Sequence, residues 1–286
     1  MLALRLAQSL GSSKGGGGTP VIAEFIFSVN TANAGSLSTQ FQLPLRNELP
    51  MASVDVDWGD GTSDTITTPT QAEALHTYAS SGTYTIQITN EVQRWEFLNG
   101  GDKLKILDIS NWGGFNFTER NTFMGCSNLT SSATDIPIVS QQYFQRTFMY
   151  CTSFDGDVSG WDITSSDSIR DSFRGVTAFT GIGLDTWDVS GVNNINSTLR
   201  EATNFDQDLS SWDITSVNNM GYFLYKGTLS TGNYDALLVS WEAQAPQMNQ
   251  SPHFGYSKYS AGSTAATARA SLISNYGWTI TDGGSI

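Results

Sequence analysis

The chain has 286 residues, with 27 Asp and Glu against 14 Lys and Arg, so its formal net charge at pH 7 is −13. This excess of negative charge argues against binding to nucleic acid or to an anionic membrane surface. Charged residues make up only 14% of the chain, whereas Ser, Thr and Asn supply 84 residues. That composition favours strands and turns, and it excludes an all-helical bundle.

The chain is long enough for two or more domains, each with a buried core. It contains only two Cys and two His, which argues against a zinc site and against a disulfide framework. No apolar stretch reaches the length of a membrane-spanning helix, so we expect no insertion into a membrane.

Residues 1–18 combine a leucine-rich decapeptide with a Ser- and Gly-rich linker. Ten residues are too few to fold unaided, and the linker is expected to be flexible. The segment is either a frayed terminus or a short anchor that docks into a larger assembly, and we favour the anchor. A charge inside the apolar stretch argues against a secretion signal. The anchor residues would be Leu2, Leu4, Leu6 and Leu10.

Residues 19–92 show the strict alternation of apolar and polar residues that is typical of half-buried strands. It appears in the runs 41–45, 54–58 and 84–88, and turn-forming residues separate these runs. About six or seven strands in some 70 residues is the spacing of a β-sandwich.

Three motifs in this segment resemble those of the PKD domain, an Ig-like β-sandwich module. They are Val54-Asp-Val-Asp-Trp-Gly-Asp-Gly-Thr62, His76-Thr-Tyr78 and Gly82-Thr-Tyr-Thr-Ile86, in that order. Domains of this family serve mainly as spacers or as protein and glycan interaction modules on surface proteins. The resemblance therefore implies display rather than catalysis.

Four carboxylates lie within a span of ten residues that begins in the first motif, and oxygen ligands of this kind could coordinate calcium. An EF-hand pattern fails because Gly59 occupies a ligand position. We favour turn capping or simple solvation of these side chains, and calcium is the weaker alternative; no other cofactor is expected. The four residues are Asp55, Asp57, Asp60 and Asp64.

Residues 93–232 contain a repeat of 25 to 26 residues, in which several columns of apolar side chains keep the same phase. A unit this short cannot bury its own apolar side chains, so successive units must stack on one another. The pattern predicts a leucine-rich-repeat-like solenoid with these columns in its core: Trp161, Trp187 and Trp212; Phe123, Phe148, Phe173, Leu199 and Leu224; Phe154, Phe179 and Phe205.

Two further columns carry polar or reactive groups. Asp162, Asp188 and Asp213 follow the tryptophans, and each either caps a turn or shares a cation with its neighbours; we favour capping. Cys126 and Cys151 are one repeat apart, and we favour buried thiols over a disulfide because stacked side chains point in parallel. A second, irregular copy has Asp135-Ile-Pro-Ile where the tryptophan motif belongs, which predicts a local distortion.

The repeats resemble those of BspA-like leucine-rich-repeat surface proteins, on the evidence of segments such as Met124-Gly-Cys-Ser-Asn-Leu-Thr130 and the run 205–220. Together with the PKD resemblance, this covers residues 20 to about 286. Such repeats occur in bacterial surface proteins and in phage structural proteins, which implies a role in adhesion or display.

Residues 233–286 no longer follow the repeat, and we expect them to form a small α/β cap on the last repeat. Helical spacing predicts one helix over 233–243 and another over 263–276, with Ala268, Leu272 and Ile273 facing inward and Gly277 ending the second helix. A closing strand is expected over 278–282.

No nucleophile with an adjacent base is apparent, so an enzyme is not expected. The sequence favours a virion structural component, such as a head or tail fibre or a decoration protein. Residues 1–18 would bind a capsid or tail protein, the solenoid would bind a host surface glycan or protein, and homo-oligomers are expected. The alternatives are a secreted bacterial cell-surface adhesin and, less favoured, a glycan-degrading enzyme.

Overall fold

The computed structural model describes residues 23–47 and 51–286, and this part of the chain is mainly β, as the composition predicts. Two helices lie near the C-terminus. The strands are β1 (Phe25–Asn30), β2 (Gln40–Gln42), β3 (Val54–Asp57), β4 (Ser63–Ile66), β5 (Leu75–Thr77), β6 (Thr83–Thr89), β7 (Ile106–Asn111), β8 (Asn116–Phe117), β9 (Thr130–Ser131) and β10 (Ile138–Val139), and the helices are α1 (Thr231–Ala243) and α2 (Thr264–Tyr276).

Six strands form the largest sheet, in the order β4-β3-β6-β1-β7-β9. Its antiparallel part runs from β4 to β7 and includes β1, where Phe25, Phe27 and Val29 alternate with half-buried residues and lie in the core. Strands β2 and β5 form a separate antiparallel pair. The ring of Phe41 on β2 lies 6.0 Å from that of Phe27, so side chains of the two sheets meet in the core.

Strand β1 also joins the first part of the chain to the repeats, because one edge pairs with β6 and the other with β7. β7 then pairs in parallel with β9, which lies about one repeat further along the chain. The buried apolar side chains form one continuous cluster from Phe25 to Trp278. The six-stranded sheet therefore continues directly into the repeats.

A buried lysine ties the loop after β1 to the segment before β7. The Nζ atom of Lys105 donates to the carbonyl oxygens of Leu37 and Gln40, at 2.8 and 2.7 Å. It also donates to both the carbonyl and the hydroxyl oxygen of Ser36. The buried carboxylate of Asp102 lies 3.8 Å away. Burial lowers the pKa of Lys105, and the charge of Asp102 opposes that effect.

Backbone hydrogen bonds between successive repeats have a fixed pattern. In one repeat the amides of Asn121, Phe123 and Gly125 donate to carbonyl oxygens 24 residues further on, at 2.8 to 3.0 Å. The next three repeats donate from the equivalent residues in the same way. Single parallel bridges join Tyr143 to Ser168, Ser168 to Asn194, and Asn194 to Asn219. Equivalent residues of neighbouring repeats therefore lie beside one another.

The donating segment of each repeat is a tight turn with two residues in the left-handed conformation. The first column of such residues runs from Asn121 to Tyr222, and the second includes Gly125, Tyr150 and Lys226. For a residue with a side chain this conformation costs about 1–2 kcal/mol. The hydrogen bonds between repeats hold the turns in this shape.

The tryptophan column is held together by its indole groups as well as by packing. Trp187 Nε1 donates to the carbonyl oxygen of Val158 at 3.0 Å, and Trp212 donates to the equivalent carbonyl of Leu184 at 3.0 Å. Trp241 on α1 makes the same bond to Leu209, so the helix continues the column. Trp161 is different because its Nε1 is buried without a partner among the described residues.

Trp112 packs beside the irregular second copy. Its ring lies 5.3 Å from that of Trp161, in edge contact, whereas Trp161 and Trp187 are stacked. Both carboxylate oxygens of Asp135 accept backbone amides, from Trp112 at 2.9 Å and from Gly113 at 2.7 Å. The second copy is thus joined to the preceding one through Asp135.

Both helices of the C-terminal segment form where the sequence predicts them. Ser230 and Ser263 cap their N-termini, and Gly277, with φ of 68°, ends α2. Two predictions were wrong. Ile273 is 41% exposed, because it lies beside Leu272 on the outer side of α2. Residues 278–282 form no strand; they make only an isolated bridge from Thr281 to His253.

The indole bonds can be tested with two matched substitutions. Trp187→Phe removes a donor to Val158, whereas Trp161→Phe removes an indole that has no partner in the part of the chain that the structure describes. Since both lose similar ring area, we expect Trp187→Phe to lower the free energy of unfolding by about 1 kcal/mol more than Trp161→Phe. Urea unfolding followed by circular dichroism measures the difference, and equal losses would contradict the assignment.

Lys105→Met should destabilise the junction between the six-stranded sheet and the repeats. It leaves the carboxylate of Asp102 buried without its cation, which is expected to lower the free energy of unfolding by about 3–5 kcal/mol. The control is Lys258→Met, because Lys258 is exposed and carries the same charge. A similar loss in both variants would show that the buried bonds of Lys105 are unimportant.

Candidate functional site

The turns whose amides donate to the next repeat bring cations and tyrosines together along one edge of the stack. We call this edge the basic turn face. The tyrosines are Tyr143, Tyr150, Tyr222 and Tyr225. The cations are Arg120, Arg146, Arg170, Arg174, Arg200 and Lys226, which are six of the 14 Lys and Arg in the chain.

The basic turn face differs in charge from the rest of the protein. Among the described residues its six cations form ion pairs with two carboxylates, those of Asp171 and Glu201, so these eight side chains have a formal net charge of +4. The whole chain has a net charge of −13. Because solvent and salt screen charges beyond about 8–10 Å, a ligand at this face would experience mainly the local positive charge.

One buried carboxylate holds three arginines in place at the centre of the face. Asp171 is almost fully buried, and its oxygens lie 3.1 Å from Arg170 Nε, 3.6 Å from Arg146 Nε and 3.6 Å from Arg174 Nη1. The arginine side chains themselves are 23–46% exposed. The arrangement fixes the position of the guanidinium groups and leaves part of each accessible to a ligand.

The tyrosines hold other cations through cation–π contacts. The guanidinium of Arg120 lies 4.2 Å from the ring centre of Tyr143. Arg200 lies 5.4 Å from Tyr222 and 5.0 Å from Tyr225. Such contacts orient the guanidinium plane, so its N–H edge can still donate to a ligand. Tyr222 is 52% exposed and offers an aromatic surface beside the cation.

An open cavity of about 580 Å³ lies at the N-terminal end of the basic turn face, and Arg120, Tyr143 and Arg146 belong to its lining. The lining also includes Arg46, Glu96 and Glu119, so the cavity carries charges of both signs. Asn121 also lines it and is 9% exposed. Its Nδ2 donates to Glu96 at 2.9 Å, whereas its Oδ1 is buried and accepts no hydrogen bond from the described residues.

The aspartates that follow the repeat tryptophans lie about half a repeat along the chain from the cations of the basic turn face. They act as turn caps. Asp188 Oδ1 accepts the Ser190 amide at 3.0 Å and its hydroxyl at 2.7 Å. These hydrogen bonds lower the pKa of Asp188, and burial opposes them only weakly. Asp162 and Asp213 cap their turns in the same way, so the favoured interpretation of the aspartate column is confirmed.

The four calcium candidates are also hydrogen-bond acceptors. Asp57 and Asp60 accept the amides of Gly59 and Thr62 and so cap the turn after β3. Asp55 accepts the Thr65 hydroxyl, and Asp64 accepts the Trp58 indole at 2.8 Å. Among the described residues no group of three His, Cys, Asp or Glu side chains has the arrangement of a metal site.

Both histidines make local contacts. His76 stacks on Trp58 at 4.6 Å, and its Nε2 lies 2.9 Å from Asp60 Oδ2. Burial raises the pKa of Asp60, but hydrogen bonds from Thr62 and His76 outweigh it and leave the pKa below its usual value. His253 Nδ1 accepts the Gly255 amide at 3.0 Å, and burial lowers the pKa of His253.

Cys126 and Cys151 are free thiols, both fully buried, which is the state favoured from the sequence. Cys151 Sγ donates to the Phe123 carbonyl at 2.9 Å. Burial raises the pKa of Cys126 well above its usual value, and the neighbouring thiol adds to the effect. Such thiols pack as small apolar groups and are poor nucleophiles.

All eleven residues assigned to the repeat core are at most 3% exposed. The proposed anchor residues Leu2, Leu4, Leu6 and Leu10 lie outside the described part of the chain. Neither helix of the described residues is long and apolar enough to span a membrane.

The basic turn face itself was missed from the sequence. Its cations recur at intervals of 24 or 26 residues, for example from Arg146 to Arg170 and from Arg174 to Arg200 and Lys226. That spacing was a usable signal. It was obscured because the cations occupy different columns of the repeat and because the net charge is strongly negative.

The chain matches the model of a family described as "Mycoplasma protein of unknown function, DUF285", over residues 89–184 and 142–258. The two matches overlap, and together they cover more than half of the chain. The protein belongs to the DUF285 family. The matched residues of this DUF285 protein include every residue of the basic turn face. No curated protein and no solved structure matches it.

The Asp60 contacts predict a pH-dependent contribution to stability. A pKa that is lower in the folded state stabilises the fold above the unfolded-state pKa of about 4, and this contribution is lost as the pH falls through the folded-state pKa. Asp60→Ala should therefore lower the free energy of unfolding by about 1 kcal/mol at pH 7 and by less at pH 3. Urea unfolding at both pH values tests this, and an equal deficit at both would refute it.

Proposed function

We propose that this DUF285 protein is a non-enzymatic display protein that presents its repeats at a surface and binds a partner there. The observation that carries the proposal is the basic turn face. Repeats joined by regular backbone hydrogen bonds hold charged and aromatic side chains in fixed positions along an extended edge. Rigid elements of this kind position binding groups more accurately than flexible loops do.

In this proposal the architecture is an Ig-like β-sandwich of the PKD kind, followed by a leucine-rich-repeat-like solenoid with a C-terminal cap. The two sheets at the start of the chain, whose side chains meet through Phe27 and Phe41, support the sandwich. Parallel bridges one repeat apart support the solenoid. The indole bond of Trp241 supports a capping role for α1.

Family membership is consistent with a surface protein, and we further propose a virion structural component, such as a head or tail fibre or a decoration protein. The support comes from residues 1–18, where a leucine-rich decapeptide precedes a Gly-rich linker. Such a segment suits a docking peptide that leaves the folded body free to move. The body would then present the repeats to a host surface.

Deletion of residues 1–18 tests the virion proposal. We expect the shortened protein to fold and remain soluble but to be absent from purified particles, since the docking peptide is lost. The matched control replaces Ser12 and Ser13 with Gly, which changes the linker and keeps the leucines. Particle composition is measured by mass spectrometry.

Two results would contradict the virion proposal. One is normal incorporation of the shortened protein into particles. The other is recovery of the protein from a bacterial cell surface with its N-terminus cleaved near Gly11, which would indicate a secreted adhesin. Degradation of a host surface glycan by the purified protein would contradict the non-enzymatic part of the proposal.

A further inference from the structure

We infer that the basic turn face binds an acidic polysaccharide, one whose sugars carry carboxylates. The inference rests on the proposed function and names the class of its partner. It requires a positive surface, flat groups that can stack on sugar rings, and polar atoms that can bind hydroxyls. The basic turn face and the cavity at its end supply all three.

The charges of the face suit carboxylates. A guanidinium group can donate two parallel hydrogen bonds to one carboxylate, and such pairs are stronger than neutral hydrogen bonds. Asp171 already orients Arg146, Arg170 and Arg174, so little side-chain freedom is lost when a ligand binds. The ligand carboxylates would bind to the exposed edges of these guanidinium groups.

The spacing of the face suits a polymer. Neighbouring repeats that share parallel hydrogen bonds lie about 4.7–4.9 Å apart, a step comparable with the length of one sugar unit. Cations recur in successive repeats from Arg146 to Lys226, so a sugar chain lying along the stack would meet one cation or more per unit. Arg120 and Tyr143 extend the same face to the cavity.

The tyrosines favour a sugar over a compact anion. Tyr222 is 52% exposed and lies in edge contact with Tyr225, and the guanidinium of Arg200 lies within cation–π distance of both rings. The apolar side of a pyranose ring can pack on such an aromatic surface while its hydroxyl groups remain in water. An inorganic phosphate would use the cations alone.

The cavity supplies polar groups for a hydroxyl-bearing ligand. Amide side chains line it, those of Asn121, Gln141, Gln142 and Gln145, together with Arg120 and Tyr143. Amide groups can both donate to and accept from sugar hydroxyls.

The remaining charge of the protein disfavours nucleic acid as the occupant. Single strands carry one phosphate per nucleotide, and affinity for them comes mainly from neutralising that dense charge. Here the six cations share the face with the carboxylates of Asp171 and Glu201, and the rest of the chain is strongly acidic. A net charge of +4 over five repeats suits a more sparsely charged polymer.

The test measures binding of the full-length protein to polygalacturonate, with neutral dextran as the uncharged comparison. The double variant Arg120→Gln, Tyr143→Ala removes an exposed cation and the ring beneath it. The control Lys258→Gln removes one exposed cation outside the face. Biolayer interferometry at 50 and 200 mM salt gives Kd, and urea unfolding verifies that each variant is folded.

We expect the wild type to bind polygalacturonate, with weaker binding at higher salt, and not dextran. The double variant should bind at least about tenfold more weakly, and Lys258→Gln should bind as the wild type does. The inference is overturned by absence of binding, by equal binding to dextran, by equal losses in the two variants, or by tighter binding to a single-stranded oligonucleotide. If the first double variant fails to fold, a second one, Arg200→Gln, Lys226→Gln, tests the same face. It should also weaken binding.

Failure of this inference can be separated from failure of the proposed function. The protein that lacks residues 1–18 should still bind polygalacturonate, because its basic turn face is intact. The Arg120→Gln, Tyr143→Ala variant should still enter particles, because its docking peptide is intact. Normal incorporation without polygalacturonate binding would therefore overturn the inference alone.

Discussion

The three backbone hydrogen bonds between successive repeats determine where every side chain of the basic turn face lies. They require alternate amides of each turn to point along the stack, and two left-handed residues per turn meet that requirement. Because a side chain disfavours this conformation, an isolated turn would not keep it. Stacking makes the turn stable, and stable turns hold arginines and tyrosines such as Arg146 and Tyr150 in one edge.

The same stacking explains how an acidic protein can have a basic surface. Aspartates such as Asp188 accept a hydrogen bond from the amide of the residue two positions further along the chain. They therefore lie in the turns near the tryptophans. The cations lie in the other turns, where few carboxylates accompany them. Asp171 is buried among three arginines, so it orients all three while cancelling only one of their charges. A periodic sequence thus separates positive and negative charge by about half a repeat.

The start of the chain and the repeats depend on each other through β1. This strand pairs with β6 on one side and with β7 on the other, and Lys105 ties the following loop to the segment before β7. Near the other end of the chain, α1 is joined to the repeats by the indole bond of Trp241 to the carbonyl of Leu209.

The sequence alone determined the mainly β class, the period, the buried columns and both helices, because apolar periodicity reports burial directly. It also favoured capping by the aspartates, since Asp followed two residues later by Ser or Thr is a local signal. Only the tertiary structure decided that Trp112 contacts Trp161 beside the irregular copy, that residues 278–282 form no strand, and that Ile273 faces outward. It alone revealed the basic turn face, because cations from different columns become neighbours only after the repeats have stacked.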